Sequence, residues 1–164
     1  MEGNSDDDRM AALEERVRLV EDQLALYRLI SRYGPAVDTG NGESAAELWD
    51  DEGFYEFDSS RLEGRHGIAA MVASEMHQSL IRQGCAHILA LPVVDVDGDK
   101  ASAAGYSRVY RHTDDGYEVW RVSANHWEFE RTSEGWRATK RYNRTLDGSA
   151  EARELLRHAL DQPL

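Results

Sequence analysis

The chain has 164 residues, of which 41% are hydrophobic, and this size and composition are typical of one globular domain with its own core. Its 31 acidic residues outnumber 19 basic residues and give a formal net charge of −12. Such a charge repels phosphate backbones and anionic lipid surfaces, so we expect no nucleic acid and no membrane among its partners.

The single cysteine, Cys85, excludes an internal disulfide and fits a reducing compartment. The first residues show neither the basic segment nor the apolar segment of a signal peptide. No apolar stretch approaches the roughly 20 residues that a membrane span needs. These features predict a cytoplasmic protein.

The N-terminal part of the chain divides into an acidic segment and a helix. Residues 1–8 are polar and acidic, which predicts a disordered segment, followed by a single domain over residues 9–160. The apolar residues that come next recur with alternating spacings of three and four, as in a helix with one buried seam: Met10, Leu13, Val17, Val20, Leu24 and Tyr27.

The seam of this first helix has two possible partners. It is short for an autonomous coiled coil between two subunits, so packing against its own domain or a neighbouring subunit is the favoured interpretation. The helical pattern continues to Tyr33. We expect Gly34-Pro35 to disturb it and residues 39–42 to end it.

The remaining elements predict an α+β fold. Helices are expected at 44–50 and 67–82, with a strand at 53–58 between them. Four strands, at 86–96, 101–112, 117–131 and 135–146, then precede a final helix at 150–160.

The strand at 117–131 has an informative phase. Ser123, Asn125 and Trp127 share one face with Phe129, and this face should point inward, whereas His126 falls on the outward face. A buried polar side chain without a partner costs about 1–3 kcal/mol. Ser123 and Asn125 should therefore bind a ligand, or instead bond a neighbouring side chain or water.

Two residues could form a base that needs no cofactor. Asp38 ends the first helical pattern, and His87 shares the inward face of a strand with Leu89 and Leu91. A carboxylate beside an imidazole fixes the ring tautomer and stabilises the imidazolium, so that the other ring nitrogen can accept a proton. The alternatives are a turn-initiating aspartate and a core histidine.

Other reactive side chains fit ordinary roles. We expect His66 and His77 to be solvated and Cys85 to be a small buried hydrophobe rather than a nucleophile. No pair of ligands has metal-binding spacing within one element, and no glycine-rich loop joins a strand to a helix. We therefore expect neither a metal nor a cofactor.

Six segments of the chain, in their order and spacing, resemble the SnoaL-like branch of the nuclear-transport-factor-2-like superfamily. These segments are 33–38, 45–53, 64–68, 86–89, 96–101 and 127–137. The resemblance implies a curved, mostly antiparallel sheet wrapped by helices into a cone with an apolar pocket, a cystatin-like α+β barrel. It also implies a homodimer or homotrimer.

Within this superfamily the chain is most similar to the scytalone-dehydratase-like and bile-acid-dehydratase-like lyases. Asp38 and His87 match their Asp–His dyad, and Tyr33 matches a tyrosine of the bile-acid dehydratases. Val37 stands where scytalone dehydratase has a tyrosine. An arginine that dehydrochlorinases use is replaced by Ala124.

The resemblance implies a cofactor-independent, dehydratase-like lyase. Its Asp–His dyad would remove a proton next to a carbonyl of a small cyclic or polyketide-like substrate, which would be apolar or aromatic-like. Asp38, His87 and Tyr33 would be catalytic, and the substrate would contact Tyr55, Phe57, Ser123, Asn125 and Trp127. Alternatives are an isomerase, a polyketide cyclase, and a non-catalytic ligand-binding or assembly module.

Overall fold

The computed structural model describes residues 3–160, and the side chains of residues 6–160. Within this range the helices are α1 (Gly3–Asp38), α2 (Gly42–Ala46), α3 (Gly64–Ala73), α4 (Glu75–Gln83) and α5 (Ala150–Arg157). The strands are β1 (Trp49–Phe57), β2 (Ser60–Glu63), β3 (Cys85–Leu89), β4 (Val93–Asp97), β5 (Lys100–Thr113), β6 (Gly116–Thr132) and β7 (Gly135–Thr145).

The seven strands form one curved sheet. Its order is β2-β1-β7-β6-β5-β3, and β4 also pairs with β5. Only β1 and β7 run parallel to each other, while the other pairs are antiparallel. Irregular register in β1, β5 and β6 allows these strands to bend. The predicted α+β class is confirmed, although β2 and β3 remain separate edges, so the sheet is unclosed and not a complete barrel.

The core lies between the inner face of the sheet and the helices α1, α2 and α3. The apolar side chains that fill it are almost completely buried: Leu26, Ile30, Val37, Trp49, Ile68, Val72, Trp127 and Phe129. The predicted inward phase of β6 is confirmed, because Ser123, Asn125, Trp127 and Phe129 are all at most 3% exposed.

Helix α1 is longer than the sequence predicts. It already begins at Gly3, so residues 3–8 are helical where disorder was expected, and residues 1 and 2 lie outside the described residues. Of the apolar seam, Tyr27 packs against the core, but the part before it does not pack on its own domain, since Met10, Val17 and Val20 are each about half exposed.

Helix α1 also continues through Gly34 and Pro35 to Asp38, where an interruption was expected. Proline removes one helical hydrogen bond, to the carbonyl of Ser31, but Ser31 and Pro35 lie on the exposed side where water can compensate. Gly34 faces the sheet. A Cβ atom at this position would lie 2.3 Å from the backbone oxygen of His87. Glycine therefore permits α1 to approach β3 closely.

Further boundaries also differ from the predictions. The helix expected at 44–50 ends at Ala46, and β1 already begins at Trp49. The helix expected at 67–82 is divided at Ser74, whose extended backbone ends α3 and whose hydroxyl caps α4. The strand expected at 86–96 is interrupted by residues 90–92, where Pro92 lacks a backbone donor. Strand β2 was not predicted, because its four residues are largely exposed and have no clear apolar alternation.

The lengths and apolar content of the helices also bear on whether the chain could span a membrane. Among residues 3–160, no helix is long and apolar enough to cross a lipid bilayer.

Candidate active site

The fold brings Asp38 and His87 together. The Nδ1 atom of His87 lies 2.6 Å from Oδ1 of Asp38, and the backbone N–H of His87 donates to Oδ2 over 2.7 Å. These two hydrogen bonds engage both carboxylate oxygens of Asp38 with His87. The bond to the ring fixes the tautomer that carries its proton on Nδ1. The Nε2 atom of His87 has no hydrogen-bond partner among the described residues, so its lone pair is free to accept a proton.

The environment of Asp38 keeps its carboxylate charged. Burial acts to raise the pKa of Asp38, but the hydrogen bonds from the His87 ring, the His87 backbone and Cys85 outweigh burial and lower it. The C-terminal end of a helix disfavours a negative charge, so these three donors also offset the helix dipole. Asp38 can therefore stabilise an imidazolium on His87 without accepting the proton itself.

Cys85 is a hydrogen-bond donor to Asp38 and a poor nucleophile. Its thiol donates to Oδ1 of Asp38 over 3.4 Å. Burial and the adjacent charge of Asp38 raise the pKa of the thiol to about 12, which keeps it protonated near neutral pH.

The same three residues could also be considered as metal ligands. The ligand atoms of Asp38, Cys85 and His87 lie within 4.8 Å of one another. They come from α1 and β3, so ligand spacing within a single element does not detect them. A metal would need the thiolate and the Nδ1 lone pair, and both atoms donate hydrogen bonds to Asp38 here. Hydrogen bonding alone explains this cluster.

His77 was expected to be solvated, and this prediction is wrong. The residue is 6% exposed, and its Nε2 lies 2.9 Å from the backbone oxygen of Val37. Its ring centroid lies 5.6 Å from that of His87. Because a carbonyl accepts, Nε2 carries the proton. His77 thus fixes the backbone immediately before Asp38.

His87 lies in the wall of a cavity of about 110 Å³ that opens to solvent. Most of its wall is apolar or aromatic: Tyr33, Tyr55, Phe57, Met71, Met76, Leu89, Val109 and Trp120. The polar part consists of histidine, arginine, serine and asparagine side chains: His77, His87, Ser107, Arg108, Arg121, Ser123, Arg141 and Asn143.

Tyr33 is a buried residue of this wall. Its ring makes edge contacts with the rings of Trp49, Tyr55 and Trp127 at centroid distances of 5.7–6.3 Å. Burial and the neighbouring Tyr55 raise the pKa of the Tyr33 hydroxyl, while Arg141 acts in the opposite direction. The hydroxyl therefore stays protonated and can serve as a hydrogen-bond donor.

The predicted substrate-binding residues fall into two groups. Tyr55, Phe57 and Ser123 line the cavity. Asn125 and Trp127 are buried behind the lining residues, so the structure corrects the expectation that they form the wall themselves.

Asn125 has a different task. Its Oδ1 accepts from Arg141 and Asn143, and its Nδ2 donates to Ser107 over 2.8 Å. It thereby orients three side chains that do line the cavity.

His126 was expected on the outward face, but it is buried. Its ring lies 4.2 Å from that of His158, just beyond α5, which covers this face of β6. Burial and the nearby His158 lower the pKa of His126 to about 4. It lies outside the cavity.

The arginine side chains of the cavity were not predicted from the sequence. Arg108, Arg121 and Arg141 all contribute to its wall. An arginine in a strand is usually solvated, so nothing local distinguishes them. The alternation of β7 is the one available signal: Arg141 shares a face with Asn143, two positions on.

The chain belongs to the SnoaL-like domain family, whose model matches residues 18–142. None of the curated proteins matches the chain significantly. The resemblance stated above and the superfamily it names are thus confirmed by the family match and by the fold.

Solved structures share this fold. An NTF2-like protein with a cystatin-like fold from Novosphingobium aromaticivorans is 45% identical, with a TM-score of 0.86 over 88% of this chain and 94% of that one. A protein of unknown function from Mycobacterium tuberculosis is 22% identical, with a TM-score of 0.71 over 91% and 90%. A protein from Catenulispora acidiphila, solved in complex with S-DNPA, is 20% identical, with a TM-score of 0.63 over 82% and 94%.

Proposed function

We propose that the protein is a cofactor-independent lyase of the dehydratase type, with isomerisation or polyketide cyclisation as the alternative outcomes of the same proton removal. The observation that carries this proposal is the Asp38–His87 pair, whose histidine lines a largely apolar cavity and keeps its Nε2 without a hydrogen-bond partner among the described residues. Membership of the SnoaL-like family, which includes polyketide cyclases and dehydratases, supports the same class.

In the proposed reaction, Nε2 of His87 accepts a proton from a carbon next to a carbonyl group. Asp38 stabilises the resulting imidazolium and keeps the ring in place. The electron pair of the broken C–H bond delocalises onto the carbonyl oxygen as an enolate. When the enolate collapses, the bond between the β-carbon and its hydroxyl oxygen breaks, and the leaving hydroxide takes the proton from the His87 imidazolium. The products are a conjugated enone and water, and His87 returns to its neutral form.

Tyr33 is the proposed donor. Its protonated hydroxyl would donate to the carbonyl oxygen or to the departing hydroxide, and Tyr55 lies close enough to share this task. Ser123 and Phe57 would position the polar and apolar parts of the substrate. Asn125 and Trp127 would act through the residues in front of them. The expected cytoplasmic location remains a prediction.

The test uses exchange of the α-proton. A panel of cyclic ketones with a β-hydroxyl group is incubated with the protein in D₂O, and NMR follows deuterium uptake and product formation. We expect His87→Ala and Asp38→Asn to slow exchange by about 10²–10⁴-fold. His66→Ala, which removes an exposed histidine, is the matched control and should leave the rate unchanged.

The products distinguish the alternatives. A conjugated enone indicates a lyase, a shifted double bond indicates an isomerase, and a new carbon–carbon bond indicates a cyclase. Equal exchange in wild type and His87→Ala would contradict the proposal. Binding without any exchange would favour a non-catalytic ligand-binding module.

A further inference from the structure

The wall of the cavity has an unusual charge balance for a chain with a net charge of −12. Three arginines and two histidines line it, and no aspartate or glutamate is found among its described lining residues. Asp38 stands behind His87, where its charge is directed at the imidazole. The cavity is therefore a local positive region in an acidic protein.

Arg121 does not account for the positive charge of the cavity, because its own charge is already balanced. Its Nη2 lies 2.8 Å from Oδ2 of Asp58, and it also donates to Ser123 and Asn143. Arg121 therefore acts as part of the wall rather than as a free cation.

Arg141 is different, because its charge has no carboxylate partner among the described residues. The residue is only 2% exposed, and its Nε and Nη2 both donate to the neutral oxygen of Asn125. Its Nη1 has no hydrogen-bond partner. A buried charge without a counterion is unfavourable, because little water remains to solvate it.

Aromatic rings offset part of this cost. The guanidinium carbon of Arg141 lies 4.3–4.4 Å from the ring centroids of Tyr33, Tyr55 and Trp127. Cation–π contacts of this kind stabilise the guanidinium but do not neutralise its charge. An anionic ligand would supply the missing negative charge.

Arg108 adds a second cation that is not paired. It is exposed, it lines the cavity, and it has neither a hydrogen bond nor an ion pair among the described residues. An exposed arginine can assist the approach of an anion from solvent.

We propose that the substrate of this cavity is an aromatic or cyclic carboxylate, whose negative charge is balanced by Arg141 and by Arg108. This proposal rests on the proposed function, since it names the substrate class of the same site. The apolar wall accepts the ring, and the arginines select the acid over its neutral analogues. The charge of Arg141 would also stabilise the enolate that His87 generates.

A binding experiment tests this proposal without turnover. Benzoate is compared with benzamide, a neutral analogue of the same shape, by titration calorimetry on the full chain. Fluorescence gives a second readout, because the guanidinium of Arg141 lies against the ring of Trp127. We expect benzoate to bind at least about tenfold more tightly than benzamide, as for a hydrogen bond between charged groups.

Three variants test which arginine causes the preference for benzoate. Arg141→Gln should abolish the preference for benzoate, and Arg108→Gln should reduce it about two- to fivefold, as for an exposed charge. Arg111→Gln is the control. Arg111 lies on the same strand outside the cavity and pairs with Glu118, so its loss changes the net charge equally.

Several results would overturn the proposal. They are equal affinities for benzoate and benzamide, no detectable binding of either, or an equal loss in Arg108→Gln and Arg111→Gln. If Arg141→Gln does not fold, the comparison of the exposed Arg108 and Arg111 variants still tests whether an arginine of the cavity selects the carboxylate. Preferred binding of benzoate together with unimpaired proton exchange in His87→Ala would refute the lyase and leave this proposal intact.

A second inference comes from the exposed seam of α1, which we define as Met10, Leu13, Val17, Val20 and Leu24. In a heptad repeat these residues occupy positions a and d, and each is 46–62% exposed. The domain packs on another side of the helix, where Asp22 and Leu26 are buried. A partner could therefore reach the seam without contacting the domain.

The charges beside the seam identify the partner. Position g holds Arg9 and Arg16, whereas position e holds Glu14 and Glu21. In a parallel pair of identical helices, each g residue faces the next e residue of the partner helix, so arginine meets glutamate twice on each side. An antiparallel pair would place like charges together. We infer that a second copy of this chain binds the seam as a parallel two-stranded coiled coil.

Sedimentation equilibrium of the full chain tests this pairing. We expect a dimer, which Val17→Asp converts to a monomer, while Leu19→Asp leaves the dimer unchanged. Leu19 is an exposed residue of the same helix outside the seam, so it is the matched control. A monomeric or trimeric wild type, or a Val17→Asp variant that remains dimeric, would refute the inference.

Charge reversal tests the direction of pairing. A variant with Arg9→Glu and Arg16→Glu should lose self-association, as should a variant with Glu14→Arg and Glu21→Arg. Mixing the two variants should restore the dimer, because in the parallel arrangement each glutamate of one helix then faces an arginine of the other. The decisive result is that each variant alone is weakened, because in antiparallel pairing both variants would associate no worse than wild type.

Discussion

Leu19 and Leu26 lie seven residues apart in α1, at the same position of its repeat, yet Leu19 is 41% exposed and Leu26 is completely buried. The first half of the helix therefore stands clear of the domain, whereas the second half forms part of the core. The second half also presents Tyr33 and Asp38 to the cavity and its histidine. Helical periodicity alone does not determine which stripe of a long helix meets the domain.

The largest expected effect comes from the same substitution in the two halves. Leu26→Ala should lower the free energy of unfolding by about 2–5 kcal/mol, because it leaves a cavity in the core. Leu19→Ala should change it by less than about 0.5 kcal/mol. Urea denaturation of both variants measures the difference. Equal effects would show that the first half also packs on the domain.

Asp22 marks the point at which α1 joins the domain. Its carboxylate accepts from Arg131 over 2.6 and 2.7 Å and from the indole of Trp136 over 3.0 Å. Asp22→Ala would leave the Trp136 indole without its partner and remove the buried carboxylate from Arg131, although Arg131 keeps its ion pair with Asp99. We expect a loss of about 2–3 kcal/mol in unfolding experiments. Glu15→Ala, which removes an exposed carboxylate one heptad earlier in the same helix, is the control and should have little effect.

Gly34 sets the distance between the second half of α1 and β3. A Cβ atom at this position would lie 2.3 Å from the backbone oxygen of His87, so Gly34→Ala must move the helix away from the strand. We expect a loss of about 1–3 kcal/mol in stability together with slower proton exchange. A variant that keeps wild-type stability and exchange would show that α1 and β3 are not held this closely.

Substitutions of His77 should have the smallest effect on stability, and two of them distinguish how this residue acts. Glutamine can keep a side-chain N–H directed at the Val37 oxygen, whereas phenylalanine cannot. We expect His77→Phe to cost about 1 kcal/mol in stability and to slow proton exchange by disturbing Asp38. His77→Gln should retain most of both. If the two variants lose exchange equally while remaining stable, His77 would act through its ring nitrogens instead of through the backbone of Val37.

Some of these features could be predicted from the sequence, because they depend on local patterns. The spacing of apolar residues predicts α1, and alternation predicts the inward face of β6. Asp38 and His87 could be singled out by their positions and by the resemblance. Their contact depends on Gly34, whose role becomes visible only when β3 is placed beside α1.

Other features depend on tertiary contacts that no local pattern carries. His77 is an isolated polar residue on a helix, and it becomes buried because α4 packs against the end of α1. His126 lies on the polar face of its strand, and α5 covers that face. Arg141 is an ordinary strand residue until three aromatic rings from other elements surround its guanidinium.

The tautomeric state of the His87 ring is the property to measure first, because the proposed chemistry requires a free lone pair on Nε2. Long-range ¹H–¹⁵N NMR spectra of the imidazole, assigned with the His87→Ala variant, distinguish the two neutral tautomers. The hydrogen bond from Nδ1 to Asp38 predicts the Nδ1-protonated form, and Asp38→Asn should reduce its population. A neutral ring protonated on Nε2 would contradict the proposed role of His87 as the base.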